Sequence, residues 1–469
     1  MKTKPDDLCP CGSGRKYKKC CLPTHEEMSD EKHEEEYDDD DDFDEDEDDD
    51  EDYEYFYDDG YDEDDDFEDE FYNEYYKKFE NADFDGKVSM IRDAFEDPEL
   101  LDEELFFEVF NDLNDVLSST KERKIYFELV QELKDREPEI YEDIEGYVLF
   151  NCVSNALIDS QTENAANLFK ELAMIADEEI DLFMLRIDQV AYYGLLPLLV
   201  ESMRIGWEQV EDSPDIGHWG IDEYTCIASD YELFDYLSET SEPSPADKTL
   251  VKKIKNYYEP DPEDFADYFA CVTRKTGRKW SMDDFVKPVA KKGKKSKKAK
   301  ELEPWLVKNI SCLTNEFLDY LNKDEGISYP KADMMRTEMF HYLYQRTEGE
   351  LERNSGLFDD MEKRQVKLPP EFENILCPDP DTFDRYLATM MNIMSSRFYR
   401  SMACFESVPA WLRFLESNSL IDFDLRKRTF VSIEKLYPDM EKIFSKIKNR
   451  DDFALSELKK AWDDPKVKG

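Results

Sequence analysis

The sequence predicts a mainly α protein, in which helical domains follow a Cys-rich N-terminal segment and a disordered acidic tract. Three observations carry that expectation. From about residue 84 onward, apolar residues recur at helical spacing, as at Ile125, Leu129 and Leu133. Strand-like alternation is nearly absent. Residues 31–70 hold 29 Asp/Glu against one Lys, Lys32, and like charges at that density repel one another and extend the backbone.

At 469 residues, with 40% hydrophobic and 13% aromatic content, the chain is long enough for two or three domains with real cores. Its formal net charge is -56; residues 31–70 supply half of that (29 acids less one Lys, or -28). A protein this acidic repels nucleic-acid phosphates, so nucleic acid is expected to bind only through local basic patches. Met1-Lys2-Thr3-Lys4 leads into Pro5 and two Asp rather than an apolar stretch, which does not read as a signal peptide. The longest apolar run, Val190–Val200, is broken by Pro197 and is too short to span a bilayer. The expected location is the cytoplasm.

Taken in order, residues 1–25 form the Cys-rich segment, and 26–82 an acidic low-complexity linker, with a short helix near Phe71–Phe79. An EF-hand reading of that linker fails on register: Gly60 would need an Asp five residues earlier, where Tyr55 stands. Residues 83–286 form a helical domain. Its first clear helix opens at Ser119 and Glu122, which have the spacing of a capping box, and Pro138 falls in the turn after it. A second helix runs through Ile140, Ile144, Tyr147, Val148 and Cys152, a third through Ala165, Leu168, Phe169 and Leu172, and a fourth from Ile180 towards Tyr193. Helices of this length joined by short turns suit an α-solenoid of antiparallel pairs or a helical bundle, and the sequence leaves both open. Residues 211–217 and 240–248 read as loops.

Residues 287–301 form a Lys-rich linker: Ala290–Lys300 holds seven lysines and no large apolar residue, so a domain boundary is expected there. Residues 302–469 are a C-terminal helical domain. Asp381 and Asp384 start a Met-rich helix through Met390, Met391 and Met394, and further helices run from Trp411 to Trp462.

The N-terminal segment carries the clearest chemistry. It reads Cys9-Pro-Cys11-Gly-Ser-Gly-Arg-Lys-Tyr-Lys-Lys-Cys20-Cys21, two close cysteine pairs separated by a turn. Gly12 and Gly14 let the backbone bend directly after the first pair. Four thiolates at this spacing suit tetrahedral Zn2+, and a four-Cys set leaves no open coordination position, so the site reads as structural rather than catalytic. His25, beyond Pro23, is an alternative to Cys21. Twenty-five residues cannot build a sufficient core alone, so the metal would serve as the core, contributing about 10 kcal/mol or more to folding. Tyr17 is the one large group available to pack over it. Arg15, Lys16, Lys18 and Lys19 form a basic face, either a docking surface or a solvated one; the acidic segment beginning at Glu26 is an internal candidate to cover it.

This run resembles the SEC-C motif, found in the C-terminal tail of the SecA preprotein translocase ATPase and as an accessory knuckle in other bacterial proteins. The resemblance lies in the Cys-Pro-Cys-Gly-Ser-Gly opening, the two basic residues and the aromatic, Lys18, and the closing Cys pair. Leu22 stands where the motif often has Gly, which bears on the exit turn alone. The resemblance implies one zinc on Cys9, Cys11, Cys20 and Cys21, and a docking role towards a protein partner such as an export chaperone or the ribosome. It does not extend to ATPase activity, because the chain has no Gly-x-x-x-x-Gly-Lys-Ser/Thr phosphate loop.

The remaining cysteines (Cys152, Cys226, Cys271, Cys312, Cys377 and Cys404) are scattered through helical sequence and read as core residues. Of the four histidines, His218 sits in a Gly-His-Trp-Gly stretch read as a loop, and His341 in a helix beside Met335, Met339 and Leu343. No catalytic motif is legible. The functional expectation is therefore a non-enzymatic, zinc-binding adaptor. The alternative is a ribosome- or RNA-associated factor using the basic knuckle face and the Lys-rich linker.

Overall fold

A computed structural model describes residues 74–97, 100–211, 213–214, 216–285, 304–348, 351, 374–391, 397–446 and 451–463. Among them 78% are helical and none lies in a strand; the protein is mainly α. The described residues fall into two compact units, one within residues 22–148 and one within 149–469.

In the first unit, residues 74–80 are helical and are followed by α1 (Phe84–Ala94), α2 (Glu103–Asp115), α3 (Thr120–Arg136) and the start of α4 (Pro138–Ile158). Each helix start has a local cause. The Asp83 and Asp102 carboxylates accept from the Gly86 and Leu105 amides, and the Ser119 hydroxyl accepts from Glu122 N–H at 3.3 Å. The Glu122 carboxylate reaches back one residue further than a capping box requires, to Ser118 N–H at 2.7 Å. Pro138 is not in a turn but is the first residue of α4, where a missing N–H costs nothing. The core is aromatic: Phe95, Phe106, Phe110 and Tyr126 are buried and pack in series at 5.4, 6.3 and 5.8 Å between ring centroids, the last pair edge to face. Phe79 is fully buried, and the Lys87 ammonium lies 4.1 Å from its ring centroid. The short helix at the end of the acidic linker is thus part of this core.

The second unit continues with α5 (Thr162–Met174), α6 (Ile180–Tyr192), α7 (Leu196–Val210), α8 (His218–Glu239), α9 (Lys248–Ile254) and α10 (Pro262–Val272). It then runs through α11 (Pro304–Lys323), α12 (Tyr329–Glu348), α13 (Pro380–Met390), α14 (Phe398–Ser417), α15 (Phe423–Ile433), α16 (Tyr437–Lys446) and α17 (Asp452–Asp463). Early helices pack on near neighbours, α5 on α7 and α7 on α8. Gly206 permits the latter approach: a Cβ there would come within 2.5 Å of the Tyr224 hydroxyl, which donates to Met203 O at 2.6 Å.

The later helices depart from neighbour-by-neighbour stacking. α14 packs against α12, α13, α15 and α17, and α6 returns to lie on both α12 and α14. Every residue from Ser401 to Leu412 is buried, so α14 is the central helix of a bundle, apolar or internally paired on all sides.

Helices on either side of residues 286–303 belong to this one unit. α10 packs on α11, the Arg274 guanidinium pairs with Asp319 at 2.6 Å, and the Trp280 indole donates to Glu316 at 2.7 Å. The Lys-rich linker itself lies outside the described residues. Cys271 and Cys312 are not separate core cysteines: they form a disulfide across α10 and α11, with Cα atoms 5.4 Å apart. Cys152, Cys377 and Cys404 are buried. His218 is not in a loop but opens α8 behind Gly217. The Met-rich helix begins after Asp379, whose carboxylate accepts from Thr382 N–H at 3.1 Å, and it ends at Met390.

Candidate functional site

Five helices of the second unit, α6, α8, α12, α13 and α14, surround a cleft of about 550 Å³. Its floor is an ion-pair network. Arg400, in the first turn of α14, donates through Nε to both Asp188 oxygens, at 2.9 and 2.7 Å. Its Nη1 reaches Glu338 of α12 at 3.2 Å. The second Glu338 oxygen accepts from the Tyr386 hydroxyl of α13 at 2.7 Å. The Arg400 side chain is 19% exposed and that of Glu338 4%, so both charges are largely withdrawn from water and depend on each other.

His341 follows Glu338 by one helical turn and lines the same cleft. Burial pushes its imidazole pKa below the ordinary value; Glu338 acts in the opposite direction, and Arg400, Arg336 and Arg397 add to the depression. Its neutral form is favoured, leaving one ring nitrogen as donor and one as acceptor. Asp181 and Glu223 are exposed on the α6 and α8 sides, and Arg397 is exposed at the opening of α14. Apolar lining comes from Met184, Leu185, Ile227 and Met390.

A second buried network lies between α12, α14 and α17. The Lys331 ammonium pairs with Glu406 at 2.7 Å and with Glu457 at 3.5 Å and sits 4.1 Å from the Tyr192 ring centroid. The Tyr192 hydroxyl donates to Glu406. Asp451 accepts from Tyr193 and Tyr399 at 2.8 and 3.0 Å. Every strong acceptor here already has a donor, and the network reads as structural.

Sequence reasoning did not find the cleft. Its members come from positions 188, 338, 386 and 400, and in a chain with 116 Asp/Glu no single carboxylate stands out. The one local signal was the i, i+3 spacing of Glu338 and His341. Among the described residues no group of three or more His, Cys, Asp or Glu is placed to hold a metal ion, and no helix is long and apolar enough to cross a membrane.

The residues singled out in the sequence, Cys9, Cys11, Cys20 and Cys21 with Arg15, Lys16, Tyr17, Lys18 and Lys19, lie outside the described residues, as does the acidic linker up to residue 73. Their donor chemistry rests on the sequence. No curated protein and no solved structure matches the chain. Residues 7–23, which contain all four clustered cysteines and the basic residues between them, match the family described as the SEC-C motif.

Proposed function

We propose that the protein is a zinc-binding, non-enzymatic adaptor of the cytoplasm, whose knuckle docks a protein partner while the helical body serves as scaffold. The observation that supports this reading is the SEC-C match over residues 7–23, with its complete four-cysteine pattern. Cys9, Cys11, Cys20 and Cys21 would hold one Zn2+ as thiolates, and the metal would supply the folding energy that so short a segment lacks. Arg15, Lys16, Lys18 and Lys19, which flank Tyr17 in the sequence, would then offer a basic surface complementary to an acidic partner.

A second reading, a ribosome- or RNA-associated factor, is favoured by the seven lysines of Ala290–Lys300 acting with that basic face. Salt separates the two: binding to phosphates weakens steeply as salt rises, because counterions released on binding must be returned. A mixed protein interface weakens less.

The test combines metal analysis with pull-downs from native cytosol, comparing the intact chain with Cys9→Ser/Cys11→Ser at two salt concentrations. We expect one zinc per intact chain, no zinc in the variant, and a specific partner lost with it. Equal zinc content in both forms, or identical partner sets, would sink the adaptor reading.

A further inference from the structure

We propose that the cleft between α6, α8, α12, α13 and α14 binds an organic cation, an ammonium or guanidinium carried on an aliphatic stem. This site is independent of the knuckle.

Charge sets the sign of the ligand. Asp188 and Glu338 on the floor share a single guanidinium, Arg400, at 2.7 and 3.2 Å, which leaves the floor one negative charge in excess. Asp181, Glu223 and Arg397 line the exposed rim. Among the residues that line the cleft, four carboxylates stand against two guanidiniums, a formal excess of two negative charges. The walls of a cleft concentrate that field on whatever enters it.

Shape and polarity set the rest. A cleft of about 550 Å³ falls in the range of small-molecule and side-chain sites. Met184, Leu185, Ile227 and Met390 supply an adaptable apolar lining for a methylene stem, methionine being the most accommodating of side chains. A bare metal ion is a poorer fit. The floor oxygens are already engaged by Arg400 and Tyr386, and no three ligands converge among the described residues. An organic cation needs no such convergence: its head responds to the Asp181 and Glu223 side while its stem lies on the apolar lining.

His341 provides a reporter inside the cleft. The chain has only four histidines, so imidazole resonances of the full-length, histidine-labelled protein can be resolved and His341 assigned with His341→Gln. The probe is a short peptide of alternating Lys and Leu, with an otherwise identical peptide of acetylated lysines as the neutral control. We expect the Lys peptide to shift the His341 resonance saturably and the acetylated one to leave it in place. Asp181→Asn/Glu223→Gln, both at exposed positions, should weaken the titration about fivefold. The charge-matched control Glu139→Gln/Glu163→Gln, exposed elsewhere, should not. Spermidine in place of the peptide distinguishes a free polyamine from a Lys side chain as the source, and a shift with either supports the site. The proposal is overturned if the peptide moves only His25 and His33, which border the acidic tract, or if the rim variant titrates like the unaltered protein.

Discussion

Lys331 and Glu406 face each other from α12 and α14 with side chains 7% and 2% exposed. Two charges so far from water are stable only as a pair, and removing one partner from such a pair costs about 3–5 kcal/mol, because the other charge is left uncompensated. Lys331→Met should therefore destabilise the protein by about that amount at neutral pH. The loss should depend on pH. Burial raises the Glu406 carboxyl pKa above its ordinary value, and Lys331 pulls it back. Without Lys331 it rises further. A carboxyl with a raised folded-state pKa contributes stability that is present below its unfolded value and lost as pH rises through the folded one. The cost of Lys331→Met should thus be smallest near the ordinary carboxylate range and grow towards neutrality, as read by urea unfolding at each pH. Adding Glu406→Gln to Lys331→Met should recover much of it; a double variant as unstable as the single would mean that packing, not charge, carries the effect. Pairs of this kind join positions 75 residues apart and cannot be read from sequence.

At the scale of the helix, legibility followed amphipathicity. α3 buries Leu129 and Leu133 of the stripe the sequence displays, with Tyr126 fully buried beside a half-buried Ile125, and its Ser119 cap was readable from the residue type. α14 has no stripe because it is buried on all sides, so its central place in the bundle emerged only from packing. Helix starts were misplaced where Gly or Pro was read as a turn, at His218 and Pro138, because Pro also suits the first position of a helix and Gly the N-cap before it. The Cys271–Cys312 disulfide was equally hidden, since a separation of 41 residues says nothing about pairing until α10 and α11 are brought together. Closing a loop of that length stabilises by about 4 kcal/mol in the chain-entropy account. Arg274–Asp319 and Trp280–Glu316 hold the same two segments, so reduction should loosen them without separating them. A reductant should lower the melting temperature of the unaltered protein and leave Cys271→Ser/Cys312→Ser unmoved. An unaltered protein indifferent to reductant, with two free thiols at these positions by peptide mapping, would contradict the pairing.

For the whole molecule, the class was legible because composition and periodicity agree: a long acidic tract, then helices. The cleft was not, because it is assembled from five helices and from residue types that the chain holds in abundance. That abundance has a physical consequence of its own. Residues outside 31–70 still carry a net charge of -28 (-56 less the -28 of the tract), and self-repulsion of that size opposes the compact state. Ion pairs act in the other direction, and screening weakens them too. Many are exposed, such as Lys78–Glu74 and Lys124–Glu128 with all four side chains more than half exposed, and pairs of this kind contribute about 0–1 kcal/mol each. The buried pairs, Lys331–Glu406 and Arg400–Glu338, are shielded from mobile ions. Repulsion, which acts over all the acids at once, should therefore dominate the salt response. Raising NaCl from about 0.02 M to about 0.3 M shortens the Debye length from over 20 Å to under 6 Å, and the melting temperature should rise. KCl should give the same curve, since the effect is screening rather than binding of a particular ion. A melting temperature that falls with either salt would show instead that the exposed ion pairs act as a connected network, worth more together than their separate contributions.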